Sequence, residues 1–432
     1  MGCPSPRPVE GEDMKRILVG LVALATVGAV VFGFGPVLGG ERADTKSATQ
    51  LEIEFFTERV SESPADVISA TRLGIVLRQN QRETGDLQSL YHAEEVLESA
   101  LDALPGYQPA QLGLARVVID LHQFERGLGL ALAIDDLRLE TEAKLAAGDA
   151  LLALGRYVDA SARFTEAELA GPSVAVDARM ARLAELNGDL GEAIGIMEAA
   201  GEKLAATGAG GETFAWFATR LGDLYLTARM IDEAEAEFRR ALVVMPTYAP
   251  AVAGMGDVEI ARGDIESAIA RYEEASRLAT DPDWHFTLAR LHALAGNQAE
   301  AERQEHLALG TLEVYGSIHP RDFALHYART GQPRLARAYA EAAYAQSQDV
   351  YAHDVMAWVL HLGGDSEKAL GHIEAAMALG TKEADFLYHL GAILVSLGHI
   401  ERGFDQIDAA ITMGLDPWDE IAARTLMSTA RR

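Results

Sequence analysis

Cysteine is almost absent. The only thiol in 432 residues is Cys3, so the chain can form no internal structural disulfide and no thiolate cluster around a metal. Cys3 stands before the apolar segment near the N-terminus rather than after it, which excludes a lipobox cysteine. The opening MGCPSP carries Pro6 where a myristoylation signal needs serine or threonine. Aromatic residues are few, at 7%. The chain is dominated instead by alanine, leucine and glycine, a mix that favours closely packed helices over strands. Positive charge is scarce as well. Lys and Arg number 37 against 65 Asp and Glu, a formal net charge of −28. Such a chain repels nucleic acid and anionic lipid, both of which need a basic footprint. Soluble basic partners or loosely held divalent cations fit the charge, beside the plainer role of acidic helix surfaces in keeping the protein soluble. Catalytic signatures are missing too: there is no HExxH, no GxGxxG after a strand, no P-loop and no GxSxG. The chain is not expected to be an enzyme, and no catalytic residue, cofactor or metal ligand is assigned.

The first informative stretch is MKRILVGLVALATVGAVVFGFGPVLGG. Residues 1–16 form a short tail ending in Lys15 and Arg16, and residues 17–40 carry no charge. At a rise of about 1.5 Å per residue that run is long enough to cross a bilayer. Basic residues before it and acidic bulk after it orient the N-terminus inside. Two readings stand: a transmembrane signal anchor, favoured because no Ala-x-Ala is present, or an export signal cleaved near Gly39 and Gly40. The expected location is therefore the inner or cytoplasmic membrane of a bacterial cell, single-pass with the C-terminal domain outside the cytoplasm, or alternatively the periplasm or the medium. Met14 is a second candidate start. Residues 41–65 read as a linker and a first helix.

What the chain has in abundance is a period. In the stretch beginning at Ala215, Leu221 and Gly222 fall at positions 7 and 8, Tyr225 at 11, Ala234 at 20, Phe238 at 24, Ala241 at 27 and Pro246 at 32. From Ala249 the pattern restarts, with Met255, Gly256, Ala268, Tyr272 and Ala275 at 7, 8, 20, 24 and 27. Each unit predicts two helices. Positions 8 and 20 are small because another helix crosses there. Positions 24 and 27 share a helix face, and proline at 32 ends the unit. One pair cannot bury its apolar faces alone; stacked pairs can.

These residues, and LGDLYLTARMIDEAEAEFRRALVVMP above all, resemble the tetratricopeptide repeat family. The large aromatic expected at position 4 is mostly missing, with Ala218 and Val252 in its place. The resemblance implies an all-α, right-handed α-solenoid of stacked antiparallel helix pairs, about ten units in all. Its parts are an N-terminal block over 66–200, a Gly-rich insertion over 201–213, a C-terminal block over 214–417 and a capping helix over 418–432. The insertion reads either as a hinge or as a lengthened helix with a surface loop. In this family ligands usually lie in the concave groove lined by the first helix of each unit. That face carries Trp216, Phe286, Tyr351, Trp358, His361 and Tyr388, with Asp223, Asp257, Asp354 and Asp385 beside them. They suggest an acidic, aromatic-studded groove, although Trp216 and Trp358 serve equally well as plugs in the core. Ten of the twelve histidines fall between His285 and His399. They suggest a metal or acid-sensing surface, but their spacing matches no compact metal motif and most are expected to be solvated or bonded singly.

The function expected is a non-catalytic scaffold that binds a protein or peptide, basic or amphipathic, for envelope assembly or secretion. The alternative is a scaffold for a cell-surface polysaccharide. Aromatics in a row along the groove favour sugar; aromatics clustered among aspartates favour peptide. The sequence leaves the oligomeric state open.

Overall fold

The computed structural model describes residues 46–207, 210–315, 318 and 320–431. Residues 47–432 make one compact unit. Helix α1 (Ala48–Glu62) leads into ten helix pairs. The first five are α2 (Val67–Thr84) with α3 (Leu87–Ala103), α4 (Gln108–Asp120) with α5 (Phe124–Leu132), α6 (Glu140–Ala153) with α7 (Tyr157–Ala170), α8 (Val174–Leu186) with α9 (Leu190–Thr207), and α10 (Glu212–Thr227) with α11 (Ile231–Val244). The second five are α12 (Ala249–Arg262) with α13 (Ile265–Leu278), α14 (Pro282–Leu294) with α15 (Gln298–Tyr315), α16 (Pro320–Arg329) with α17 (Pro333–Gln346), α18 (Val350–Leu362) with α19 (Ser366–Ala376), and α20 (Ala384–Ser396) with α21 (Ile400–Met413). Helix α22 (Pro417–Ala430) follows the last pair. The fold is an all-α solenoid of stacked helix pairs.

The repeat positions do what their chemistry requires. Phe238 is completely buried because glycines on two helices make room for it. A Cβ on Gly222 of its partner helix would lie 2.6 Å from the ring, and one on Gly254 of the next pair would lie 2.4 Å from it. Ala234 and Ala241 on the same face are fully buried as well. Helix starts carry polar caps: Asp66, Asp86, Ser173, Asp264 and Asp349 each accept a backbone N–H of the first turn, satisfying donors the helix cannot use itself.

The stack coils back on itself. Thr280 N–H donates to the Thr84 carbonyl at 3.1 Å. Ser347 Oγ donates to the Ala153 carbonyl, Val350 N–H to the Tyr157 hydroxyl at 2.8 Å, and Thr381 Oγ1 to the Leu186 carbonyl at 2.6 Å. The last three bonds join residues 193 to 195 apart. Ile318, between α15 and α16, is buried among Leu90, Leu121 and their neighbours, and Gly414 meets the side chain of Arg229. In each case the turn inside a pair of the first five meets a connection between pairs of the second five, in the same order. The coil thus completes a turn in between five and six pairs, and its second turn lies on its first. Three glycines make the seam possible, the first being Gly85 (φ 71°), where a Cβ would sit 2.1 Å from the Thr280 carbonyl oxygen. Gly155 (φ 75°) and Gly188 (φ 78°) take the left-handed conformation, and a Cβ would sit 2.3 Å from the Gln348 carbonyl oxygen and 2.1 Å from that of Gly380.

One expectation is corrected here. Among the described residues no helix is long and apolar enough to cross a membrane. The apolar positions form stripes that alternate with charged faces, which suits a packed stack and not a lipid-facing helix. The run 17–40, on which the signal anchor rested, lies outside the described residues. The transmembrane helix, the single-pass topology and the extracytoplasmic or periplasmic placement are withdrawn.

Candidate functional site

The first helix of each pair faces the inside of the coil, and its charged positions face one another there. In the first turn they form a ladder. Arg78 pairs with Asp120 through two bonds, at 2.6 and 3.2 Å. Arg179 pairs with Asp149 of the preceding pair at 3.1 and 2.8 Å. Arg182 meets Glu185 at 2.6 Å, and Arg220 reaches both Glu185 at 3.1 Å and Asp223 at 2.9 Å. Each guanidinium ties one pair to itself or to its neighbour, Arg78 and Arg179 with planar, two-pronged geometry. Asp223 keeps 37% of its side-chain surface open, yet the crowding of protein around it pushes its carboxyl upward against the pull of Arg220.

The second turn closes over this ladder. Tyr351 accepts from Arg182 Nη2 at 3.1 Å and donates to Glu383 at 2.9 Å. Burial raises Glu383 to about 7. A cavity of 590 Å³ lies here, with Trp216 and Tyr351 among the three arginines. Trp216 also packs edge-to-face on Phe217 at 5.0 Å.

Further along, the lumen loses its arginine ladder and becomes acidic. A second cavity of 590 Å³ holds Asp281, Asp322, Asp385 and Asp416 beside Trp284 and Phe286. Burial, reinforced by neighbouring carboxylates, raises Asp281 and Asp416 to about 6 and Asp322 to about 8, and moves Asp385 in the same direction. Asp257, which accepts the Tyr272 hydroxyl, is raised by burial to about 7. The cations in this cavity are Arg290, over the face of Trp418 at 4.4 Å, and Arg329, 3.4 Å from Asp419. Phe286 stacks on His326 at 5.1 Å.

The ten residues singled out in the sequence thus fall into separate places. Trp216 and Tyr351 line the first cavity, and Phe286 and Asp385 line the second. Asp223 and Asp257 are held by Arg220 and Tyr272. Asp354, Trp358, His361 and Tyr388 form a packed cluster around His389 instead. His389 Nδ1 is 2.7 Å from Asp354 Oδ1, and Trp358 stacks on the His389 ring at 4.1 Å. Asp354, Tyr388 and His389 are 5 to 6% exposed. Burial disfavours the charged form of His389, but the charge and hydrogen bond of Asp354, with Asp385 and Asp419 nearby, raise it overall. His361 is driven down to about 4 by burial and by His389, and its Nδ1 lies 3.0 Å from Ser366 Oγ. Sequence reasoning passed over Arg179, Arg182, Arg220, Asp281, Asp322, Glu383 and Asp416. A signal for part of the set was available. Arg116, Asp149, Arg182, Asp223, Asp257 and Arg290 occupy one repeat position in six consecutive units. Among the described residues no group of three or more His, Cys, Asp or Glu converges on a metal position.

Residues 254–309, which span most of the pairs α12–α13 and α14–α15, match the tetratricopeptide repeat family model, so these pairs carry repeats of that type, and the class the fold defines is a solenoid of stacked helix pairs. No curated protein matches the chain in sequence. Solved structures similar to it include the human IFIT1 dimer with PPP-AAAA, at 16% identity and TM-score 0.46 over 86% of this chain and 96% of that one. Yeast Tom70 is similar at 12% identity and TM-score 0.39 over 88% and 91%. A tetratricopeptide repeat protein from Parabacteroides merdae is similar at 16% and 0.34 over 61% and 100%. None of these likenesses bears on what this chain binds.

Proposed function

We propose that the chain holds a basic or amphipathic peptide segment of a partner protein inside its coil, with the acidic second turn as the main contact surface. The observation that carries this reading is the group Asp281, Asp322, Asp385 and Asp416, crowded beside Trp284 and Phe286 in one cavity. Carboxylates whose ionised form is disfavoured by burial and by one another are relieved by an incoming cation. Aromatic faces beside them accept the aliphatic stems or the charge of lysine and arginine. A cavity of 590 Å³ falls within the usual range of about 300–1,000 Å³ for ligand sites. Trp216, Asp223, Asp257, Phe286, Tyr351 and Asp385 act as contacts in the lumen, and Asp354, Trp358, His361 and Tyr388 act by fixing its wall. Trp284 and Phe286 cluster among aspartates and do not form a row, which supports a peptide over a sugar polymer. The blocks 66–200 and 214–417 then work as parts of one coil, with 201–213 between the fourth and fifth pairs of its first turn.

Fluorescence anisotropy with a labelled peptide that alternates lysine and leucine tests this reading, with a glutamate–leucine peptide as control. The basic peptide binds, its affinity falls with added salt, and Asp322→Asn with Asp385→Asn weakens it while the fold is kept. Equal binding of both peptides, or binding unchanged in the double variant, overturns it.

A further inference from the structure

Away from the lumen, His353 of α18 and His372 of α19 face each other across one helix pair. Their Nδ1 atoms are 3.2 Å apart, and their ring centroids are 5.2 Å apart with planes tilted by 44°. Tyr344 of α17 packs edge-to-face on both rings, at 5.0 and 5.3 Å between centroids. Both imidazoles are half-buried, so each is held on one side and open on another. Burial lowers the proton affinity of both, and His372 adds to the effect on His353. The neutral imidazole is the form that binds metal.

The two distances can be compared with coordination geometry. Two imidazole nitrogens bound to one tetrahedral ion at about 2.0–2.1 Å each stand about 3.3 Å apart, and rings that both aim at that ion have centroids about 5.2 Å apart. Two rings joined head-on by an N–H···N bond of the observed length would have centroids about 5.5 Å apart. The observed 3.2 Å and 5.2 Å match the separation that two ligands of one ion would have, and a slightly bent N–H···N bond holds the rings at that separation without metal. We propose that His353 and His372 form a two-histidine site for a divalent transition-metal ion of the zinc, nickel and copper group, with water completing the coordination. Without metal, one Nδ1–H donates to the other Nδ1. Metal takes the place of that hydrogen, and the donor ring carries its N–H on Nε2 instead, so no net proton is released from the neutral pair.

The chemistry of the pair also says which ions it rejects. Imidazole nitrogen suits zinc, copper and nickel, whereas magnesium and calcium demand oxygen. Among the described residues no third His, Cys, Asp or Glu joins the pair, so the site is open, as in a chelate, and not a closed structural centre. Because the ligands sit on both helices of one pair, the ion would staple α18 to α19. The proposal rests on none of the lumen residues.

The test is a zinc titration of the full chain against a competing chromophoric chelator, in excess magnesium to occupy the surface carboxylates. One equivalent of zinc binds, and His353→Gln or His372→Gln each weakens it by at least about tenfold, the lower end of the losses seen when a ligand's surroundings alone are disturbed. His399→Gln leaves it unchanged. With copper, the electron paramagnetic resonance spectrum shows two coordinated nitrogens, reduced to one in either variant. Circular dichroism melts confirm that the variants are folded. If no equivalent binds in excess magnesium, or if both variants bind as the parent does, the proposal is wrong.

Discussion

Gly155→Ala is the substitution that asks most directly whether the coil lies on itself. Two costs are expected. The first is local: at φ 75° an L-residue pays about 1–2 kcal/mol for the left-handed conformation. The second belongs to the seam. The new methyl would stand 2.3 Å from the Gln348 carbonyl oxygen and 2.7 Å from its carbon, so one backbone must retreat by about 1 Å to reach an ordinary contact. That shift breaks the bonds from Ser347 Oγ to the Ala153 carbonyl and from Val350 N–H to the Tyr157 hydroxyl, each contributing about 0.5–1.5 kcal/mol. Gly364→Ala is the control. It has the same backbone demand at φ 86°, but no atom lies within 4 Å of its added Cβ. Gly155→Ala should therefore cost about 2–5 kcal/mol and Gly364→Ala about 1–2, the difference being the seam. Repeat arrays do not always unfold in one step, so amide hydrogen exchange is the better assay. The Val350 amide should lose protection in Gly155→Ala and keep it in Gly364→Ala. Equal stability losses with Val350 protected in both would refute the stacked coil.

Other substitutions and conditions test the packing and the electrostatics. Phe238→Ala empties a site enclosed by two glycines and should cost about 3–5 kcal/mol in chemical denaturation. Asp354→Ala leaves His389 buried without its partner and should cost about 3–5 kcal/mol, whereas Asp354→Asn should cost less. Acidification from pH 8 to pH 5 should raise the melting temperature. Asp257, Asp281, Asp322, Glu383 and Asp416 have folded-state values raised to between about 6 and 8, so the folded chain binds more protons than the unfolded one in that range. Their contribution is full below the unfolded carboxylate value and is lost as pH rises through 6 to 8. His389, also raised, acts in the same direction; His326, His353, His361 and His372, lowered mainly by burial, oppose it below the usual histidine value but are outnumbered by the raised groups. Below pH 4 the trend should reverse, because Asp66, Asp136 and Glu300 are held near 2 by hydrogen bonds that fail on protonation.

The helix pairs were legible because each makes its contacts locally. Gly222, Ala234, Phe238 and Ala241 lie within 20 residues and meet at one crossing, so their spacing carries the structure. The pitch was not legible. Small rotations between successive pairs decide whether Ser347 reaches Ala153, and no residue along the way encodes the sum. For the same reason the groove face was only partly readable. Asp223 and Asp257 bond to Arg220 and Tyr272 within their own pairs, and Asp354 turns to His389, 35 residues later, and takes Trp358 and Tyr388 into the packing with it. The bonds of Tyr351 to Arg182 and Glu383 cross between turns, or between pairs, and left no mark in the period.

The central claim is that a basic segment occupies the acidic lumen of a closed coil. Hydrogen exchange of the full chain, with and without the lysine–leucine peptide, tests it most directly. The account predicts added protection on α14, α16, α20 and the start of α22, which bring Asp281, Asp322, Asp385 and Asp416 together, and no change on α17, α19 or α21. Protection confined to those second helices, with the lumen helices unchanged, would contradict it.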